Sequence, residues 1–118
     1  MIILNTIFII NGLYDIICGF NLIYNFSPRL NLLHTQLFIN IDDIVKRFLG
    51  YILLLFGMMR LSLNYNFICI SYFFEAYLFE YELYKNKKYM DISSIRFVSI
   101  TSIILGLTSY YQIIFNNM

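Results

Sequence analysis

Two apolar segments joined by a very short connection constrain the fold of this chain most strongly. Residues 48–63 and 67–83 are predominantly apolar, and only residues 64–66 separate them. A connection this short makes two helices pack side by side in opposite directions, so we expect a helical hairpin. Each arm of the hairpin carries a charge in its interior, Arg60 on the first and Glu75 on the second.

The composition places this hairpin in a lipid bilayer. Of the 118 residues, 60% are hydrophobic and 13% are charged, whereas soluble domains carry about 25% charged residues. The mean hydropathy is +0.71. The formal net charge of +1 provides no basic surface for nucleic acid, so we expect no nucleic-acid partner. We predict an all-α integral membrane protein that forms a single domain over residues 1–118.

The apolar segments predict four transmembrane helices in an up-down bundle. The first segment has 23 residues, which at about 1.5 Å per residue exceeds the roughly 30 Å hydrocarbon thickness. No basic segment precedes it, so we interpret it as a retained span, with a removed signal peptide as the alternative. The four spans are predicted over about residues 2–24, 47–65, 67–84 and 93–115.

The segment between spans one and two predicts a fifth helix of a different kind. Ser27 and Pro28 are typical of a helix start. Apolar residues then recur every three or four positions, with polar residues opposite them, up to about residue 45. This pattern indicates an amphipathic helix over residues 28–45 that lies in the membrane interface. A helix packed across the end of the bundle is the alternative.

Small residues recur at helical spacing on three of the four predicted spans. Spans one and two each carry two glycines seven positions apart, which favours close contact between these helices. Span four carries small residues at spacings of three and four, typical of a face that packs against another helix. The predicted packing residues are Gly12, Gly19, Gly50 and Gly57, followed on span four by Ser99, Ser102, Gly106 and Ser109.

The basic residues predict the orientation. All but one lie in or beside the connections between spans one and two and between spans three and four, while residues 64–66 and both ends of the chain carry none. By the positive-inside rule, these connections face the cytoplasm or the mitochondrial matrix, and both termini lie on the opposite side. The residues concerned are Arg29, Lys46, Arg47, Lys85, Lys87, Lys88 and Arg96.

Polar side chains inside the predicted spans are the candidate functional residues. A charge at mid-membrane costs about 2.5 to 3.5 kcal/mol on insertion scales, so it needs a partner. Arg60 and Glu75 lie at similar depths on antiparallel helices, which predicts an ion pair. Asp15 and Asn11 on span one are candidates to join them. We interpret the cluster as a structural lock; a proton or cation relay, a pocket for a ligand head group and a subunit contact are the alternatives.

The inventory of reactive side chains disfavours catalysis. His34 is the only histidine, and no group of His, Cys, Asp and Glu residues has metal-ligand spacing. We find no glycine-rich phosphate loop and no nucleophile with a neighbouring base. We therefore expect no enzymatic activity, metal or cofactor. Cys18 and Cys69 lie near opposite ends of their spans, beyond the roughly 7 Å reach of a disulfide, and are predicted to be packed thiols.

Two patterns resemble known membrane protein families. The segment RFLGYILLLFGMMR at residues 47–60, with Glu80 in the next span, resembles the four-helix scaffold proteins of sterol C-4 demethylation over about two spans. That resemblance implies a tether for enzymes in the endoplasmic reticulum, although Ala76 stands where a histidine would suit. Four short spans with Asp15 in the first resemble the small multidrug transporters, which exchange protons for cationic drugs but normally use a glutamate and lack an arginine like Arg60. We adopt neither as an identification.

The sequence favours a noncatalytic subunit or scaffold of a larger membrane complex. The small residues of span four, the aromatic residues of span three and the small size all favour partner subunits, with a homo-oligomer as an alternative. Alanine occurs once and valine twice, which is typical of an AT-rich genome. An organelle-encoded respiratory-chain subunit of the mitochondrial inner membrane is therefore the leading hypothesis, with the endoplasmic reticulum or a viral membrane as alternatives.

Two other functions remain open from the sequence. A small proton-coupled transporter or channel component would use the charges inside the spans. A membrane scaffold for lipid or sterol enzymes is the third hypothesis.

Overall fold

The computed structural model describes residues 2–24, 43–85 and 91–116. These residues form four α-helices and no strand, which confirms the prediction of an all-helical chain. The helices are α1 (Ile2–Tyr24), α2 (Asp43–Leu61), α3 (Tyr65–Lys85) and α4 (Ile92–Asn116).

The second helix differs from its predicted limits of 47–65. It begins at Asp43 because residues 43–45, assigned to the interfacial helix, continue into α2 without a break. It ends at Leu61 because Leu63 adopts a left-handed backbone with φ of 56°, which an α-helix cannot accommodate. The remainder of the predicted interfacial helix, together with Arg29, His34, Lys87 and Lys88, lies outside the described residues.

Short polar side chains define where α3 and α4 begin. The Asn64 side chain accepts a hydrogen bond from the backbone N–H of Asn66 at 3.1 Å, which is the geometry of an N-cap. The Asp91 carboxylate accepts a hydrogen bond from the Ser94 hydroxyl at 2.8 Å. The Asp91 carbonyl then accepts from the N–H of Ile95 at 3.0 Å, the first helical bond of α4.

The helices form two closely packed antiparallel pairs, α1 with α2 and α3 with α4. Apolar side chains fill the interior in two clusters. One contains Phe8, Ile68 and Tyr72 near the α2–α3 turn. The other contains Cys18, Leu49, Leu53, Phe56, Phe79, Leu83, Ile95 and Val98. Asp15 on α1 and Glu75 on α3 lie between the members of these clusters along their helices, so a polar layer separates two apolar layers.

Two of the helices, α1 and α4, are long and apolar enough to cross a membrane. Only 28% of the apolar stretch of α1 and 33% of that of α4 is buried, whereas a core helix of a soluble protein would be mostly buried. The structure therefore supports membrane association through these two helices. The α2 and α3 helices carry more charge, so four spans remain a prediction.

Candidate functional site

Arg60 is at the centre of the polar layer. Its side chain is 1% exposed and donates hydrogen bonds to side chains of two other helices. On α1 it contacts Asn11 Oδ1 at 3.1 Å and forms an ion pair with Asp15. On α3 it contacts Ser71 Oγ at 3.1 Å and forms an ion pair with Glu75. One guanidinium group therefore connects α1, α2 and α3.

Aromatic rings cover the faces of the same guanidinium group. The Tyr72 ring centroid lies 3.8 Å from Arg60 Cζ, and the Phe56 ring centroid lies 5.3 Å from it. Rings at these distances stabilise a cation through their π-electrons, and more strongly where water is excluded. The Tyr72 hydroxyl also donates to Asn11 Oδ1 at 2.7 Å. The edges and the faces of the guanidinium group are thus both occupied by side chains of this chain.

The cluster contains two carboxylates and one guanidinium group. Two carboxylates, Asp15 at 0% and Glu75 at 2% exposed, face the single guanidinium group of Arg60. The formal charge of the three groups when ionised is therefore −1. Buried ion pairs contribute little net stability because both charges lose their hydration, but removal of one partner leaves an uncompensated charge and is costly. Arg60 is the group whose loss would leave the largest imbalance.

All four residues predicted for the polar cluster lie together in the structure. Sequence reasoning missed two others, Ser71 and Tyr72. They precede Glu75 by four and three positions and therefore share its face of α3. The two residues could have been identified from the sequence as the side chains that share a helix face with Glu75.

The glycines of α1 and α2 face one another in two pairs. A Cβ atom added to Gly19 would lie 2.7 Å from the carbonyl oxygen of Gly50. A Cβ atom added to Gly57 would lie 2.7 Å from the carbonyl oxygen of Gly12. Gly12 faces Gly57 and Gly19 faces Gly50, so the earlier glycine of α1 meets the later glycine of α2, as antiparallel packing requires. Glycine therefore permits the backbones to approach more closely than any other residue would.

The small residues of α4 face α3. Ser99, Ser102, Gly106 and Ser109 are all buried. A Cβ atom added to Gly106 would lie 3.1 Å from the ring of Phe73 on α3. The thiol of Cys69, also on α3, lies 3.7 Å from the Gly106 carbonyl oxygen. Around Gly106, this face of α4 therefore packs against α3 within the chain.

A partly open cleft of about 240 Å³ lies between α1 and α4, with α3 as its floor. Its floor includes Tyr72 and Glu75 of the polar cluster, and Asn11 lies on the α1 side. The α4 side contributes the hydroxyl groups of Thr101 and Ser102. The polar cluster therefore reaches a cavity through Glu75.

No known protein family, curated protein or solved structure matches this chain. Within residues 2–24, 43–85 and 91–116, no group of three or more His, Cys, Asp or Glu side chains could hold a metal ion. Cys18 and Cys69 are free thiols, and both are buried. The interactions that the polar cluster makes within the chain are ion pairs and hydrogen bonds.

Proposed function

We propose that this chain is a noncatalytic four-helix integral membrane protein that serves as a subunit or scaffold of a larger membrane complex. The observation that carries the proposal is the environment of Arg60. Its guanidinium group is paired, hydrogen-bonded and stacked within the chain. The buried charges thus hold three helices together, and the outer surface is left to contact lipid and partner subunits.

The positions of the charges support four spans. On α2 and α3, Arg60 and Glu75 pair with each other inside the bundle, so lipid does not contact them. The other charged residues on these two helices lie towards the end of the bundle that holds the start of α2 and the end of α3, where they can reach the polar interface. The described side chains among them are Lys46, Arg47, Glu80, Glu82 and Lys85. We place this end on the cytoplasmic or matrix side.

The exposed side chains on the outer face of α3 favour the presence of a partner subunit. Five large side chains are exposed there at spacings of three and four, so they form one continuous ridge. The ridge residues are Phe67, Ile70, Phe74, Tyr77 and Tyr81. Aromatic residues are enriched at protein interfaces because they bury much apolar surface with few rotatable bonds. From the AT-rich composition, the proposed setting is a respiratory-chain complex of the mitochondrial inner membrane.

Extraction from the native membrane with a mild detergent tests the subunit role. We expect the chain to migrate on a native gel within a large assembly at fixed stoichiometry, and mass spectrometry will identify its partners. The variant F74A/Y77A on the α3 ridge should weaken this comigration. The control L55A/M58A, which removes two exposed apolar side chains from α2, should retain it.

The partners found in this experiment distinguish the hypotheses. Respiratory-chain subunits would support the leading proposal, and lipid or sterol enzymes would support a scaffold for those enzymes. Migration of the chain alone or as a small homo-oligomer would reject the subunit role.

A proton-coupled transporter or channel component is the second candidate function. The two buried carboxylates of the cluster and the cleft that reaches Glu75 favour it. A relay needs a titratable group in place, so joint replacement of the three charged residues by apolar ones would abolish transport while the fold survives. A structural cluster tolerates that joint replacement.

A further inference from the structure

The cleft between α1 and α4 has one charged residue in its lining. Within the described residues, Glu75 alone among the lining side chains carries a charge. Arg60 lies behind the floor of the cleft, where it pairs with Glu75 and Asp15. An entering molecule therefore meets the carboxylate of Glu75, and when all three groups are ionised the cluster behind it has a formal charge of −1. This arrangement attracts a cation and repels an anion.

The wall of the cleft opposite Glu75 offers hydrogen-bonding groups. Thr101 and Ser102 both line it, and Ser102 is 3% exposed. Hydroxyl oxygens accept hydrogen bonds, so an ammonium group in the cleft would find acceptors in Glu75 and in these two hydroxyl groups.

Apolar side chains form another part of the lining. They are Phe97, Val98 and Leu105 of α4, and the ring of Tyr14 of α1 also lines the cleft. These positions lie near the middle of α1 and towards the middle of α4, so in a bilayer the cleft would open onto hydrocarbon. A volume of about 240 Å³ is close to that of eight water molecules, at roughly 30 Å³ each. It therefore suits a small head group with a short alkyl segment.

We propose that this cleft binds an amphiphilic amine, with its ammonium group at Glu75 and its alkyl chain along Phe97 and Leu105. The bilayer delivers such a molecule from the side, and a longer alkyl chain would extend from the cleft into the lipid. Binding places the positive charge of the ammonium group beside the carboxylate of Glu75. The inference needs the four-span placement but not the subunit role.

Photo-crosslinking tests this site. The full chain is reconstituted in phosphatidylcholine nanodiscs and exposed to octylamine that carries a diazirine in its alkyl chain, and modified residues are mapped by mass spectrometry. We expect modification of Tyr14, Phe97 and Leu105, with half-maximal labelling at about tenfold lower concentration than for the matching octanol probe. A tenfold difference corresponds to about 1.4 kcal/mol, near the lower end for a hydrogen bond to a charged group.

Two matched threonine variants of α4 locate the site. T101F should fill the cleft and abolish labelling of Tyr14 and Phe97. T108F adds the same side chain two turns further along α4, outside the cleft lining, and should leave labelling unchanged. E75Q should retain labelling but lose the preference for amine over alcohol. If E75Q fails to fold, the two threonine variants still test whether the probe binds in the cleft.

Two results would overturn the proposal. The first is equal labelling by the amine and the alcohol, which would show that Glu75 contributes nothing. The second is unchanged labelling of T101F, which would place the probe elsewhere on the surface. Cysteine accessibility at positions 62 and 85 tests the four-span placement independently of probe binding.

Discussion

Replacement of Arg60 by methionine is expected to destabilise the folded protein by about 3 to 5 kcal/mol. The variant would leave Asp15 and Glu75 buried without their counter-charge, and it would remove the hydrogen bonds to Asn11 and Ser71. Loss of stacking on Tyr72 adds to the cost. Denaturant titration of the purified protein in lipid–detergent micelles, followed by circular dichroism, measures the change in the free energy of unfolding.

The chain supplies a matched control for this substitution. Arg96 is 61% exposed, and its Nε lies 3.8 Å from a carboxylate oxygen of Glu80. Exposed ion pairs contribute about 0 to 1 kcal/mol, so R96M should change the free energy of unfolding by no more than that. Equal stability of R60M and R96M would contradict a structural role for the buried cluster.

Joint replacement separates a structural cluster from a relay. In the triple variant D15L/R60M/E75M, no buried charge remains without a partner. We expect its free energy of unfolding to lie much closer to that of the wild type than R60M does, because apolar groups can replace a buried ion cluster at little net cost. If the triple variant folds and still comigrates with its partners, the charges serve the fold.

Substitution of the facing glycines should separate α1 from α2. In G57L the new Cβ atom would lie 2.6 Å from Ile16 Cγ1 and 2.7 Å from the Gly12 carbonyl oxygen, so the helices must move apart. Overpacking of a close contact costs about 1 to 3 kcal/mol even for small additions. We expect G57A to lose stability within that range and G57L to lose more.

Gly106 provides the control for the glycine substitutions. A Cβ atom there would contact the Phe73 ring at 3.1 Å rather than a backbone atom. The half-exposed ring can shift, so G106A should cost less than G57A in the same denaturant titration. If G106A loses more stability than G57A, the contact between α1 and α2 tolerates an added methyl group better than the contact between α3 and α4, which would contradict this account.

Local sequence signals indicated the four helices and the residues that the structure brings together in the polar cluster. Long apolar segments predict helix positions without reference to the rest of the fold. The need to pair buried charges similarly brings Arg60 and Glu75 together, because the short turn between α2 and α3 fixes their relative depth. These features depend on few long-range contacts.

The glycines predicted the contact between α1 and α2, but other features that depend on which helices pack together could not be predicted. The small residues of α4 indicated a close contact, but nothing in their spacing specified α3 as the partner. The cleft exists because α1 and α4 remain apart at mid-length, which depends on the packing of all four helices. The end of α2 at Leu61 depends on the left-handed backbone of Leu63, which leucine rarely adopts.

Cysteine accessibility from each side of the membrane tests the central claim, that all four helices cross the bilayer, most directly. Ser62 in the α2–α3 turn and Lys85 at the end of α3 are both exposed, and the native thiols of Cys18 and Cys69 are buried. In sealed vesicles of known orientation, S62C and K85C are labelled separately with a membrane-impermeant maleimide. Four spans predict that the two cysteines react from opposite sides of the membrane. If only α1 and α4 cross, both cysteines will react from the same side, and the four-span account is wrong.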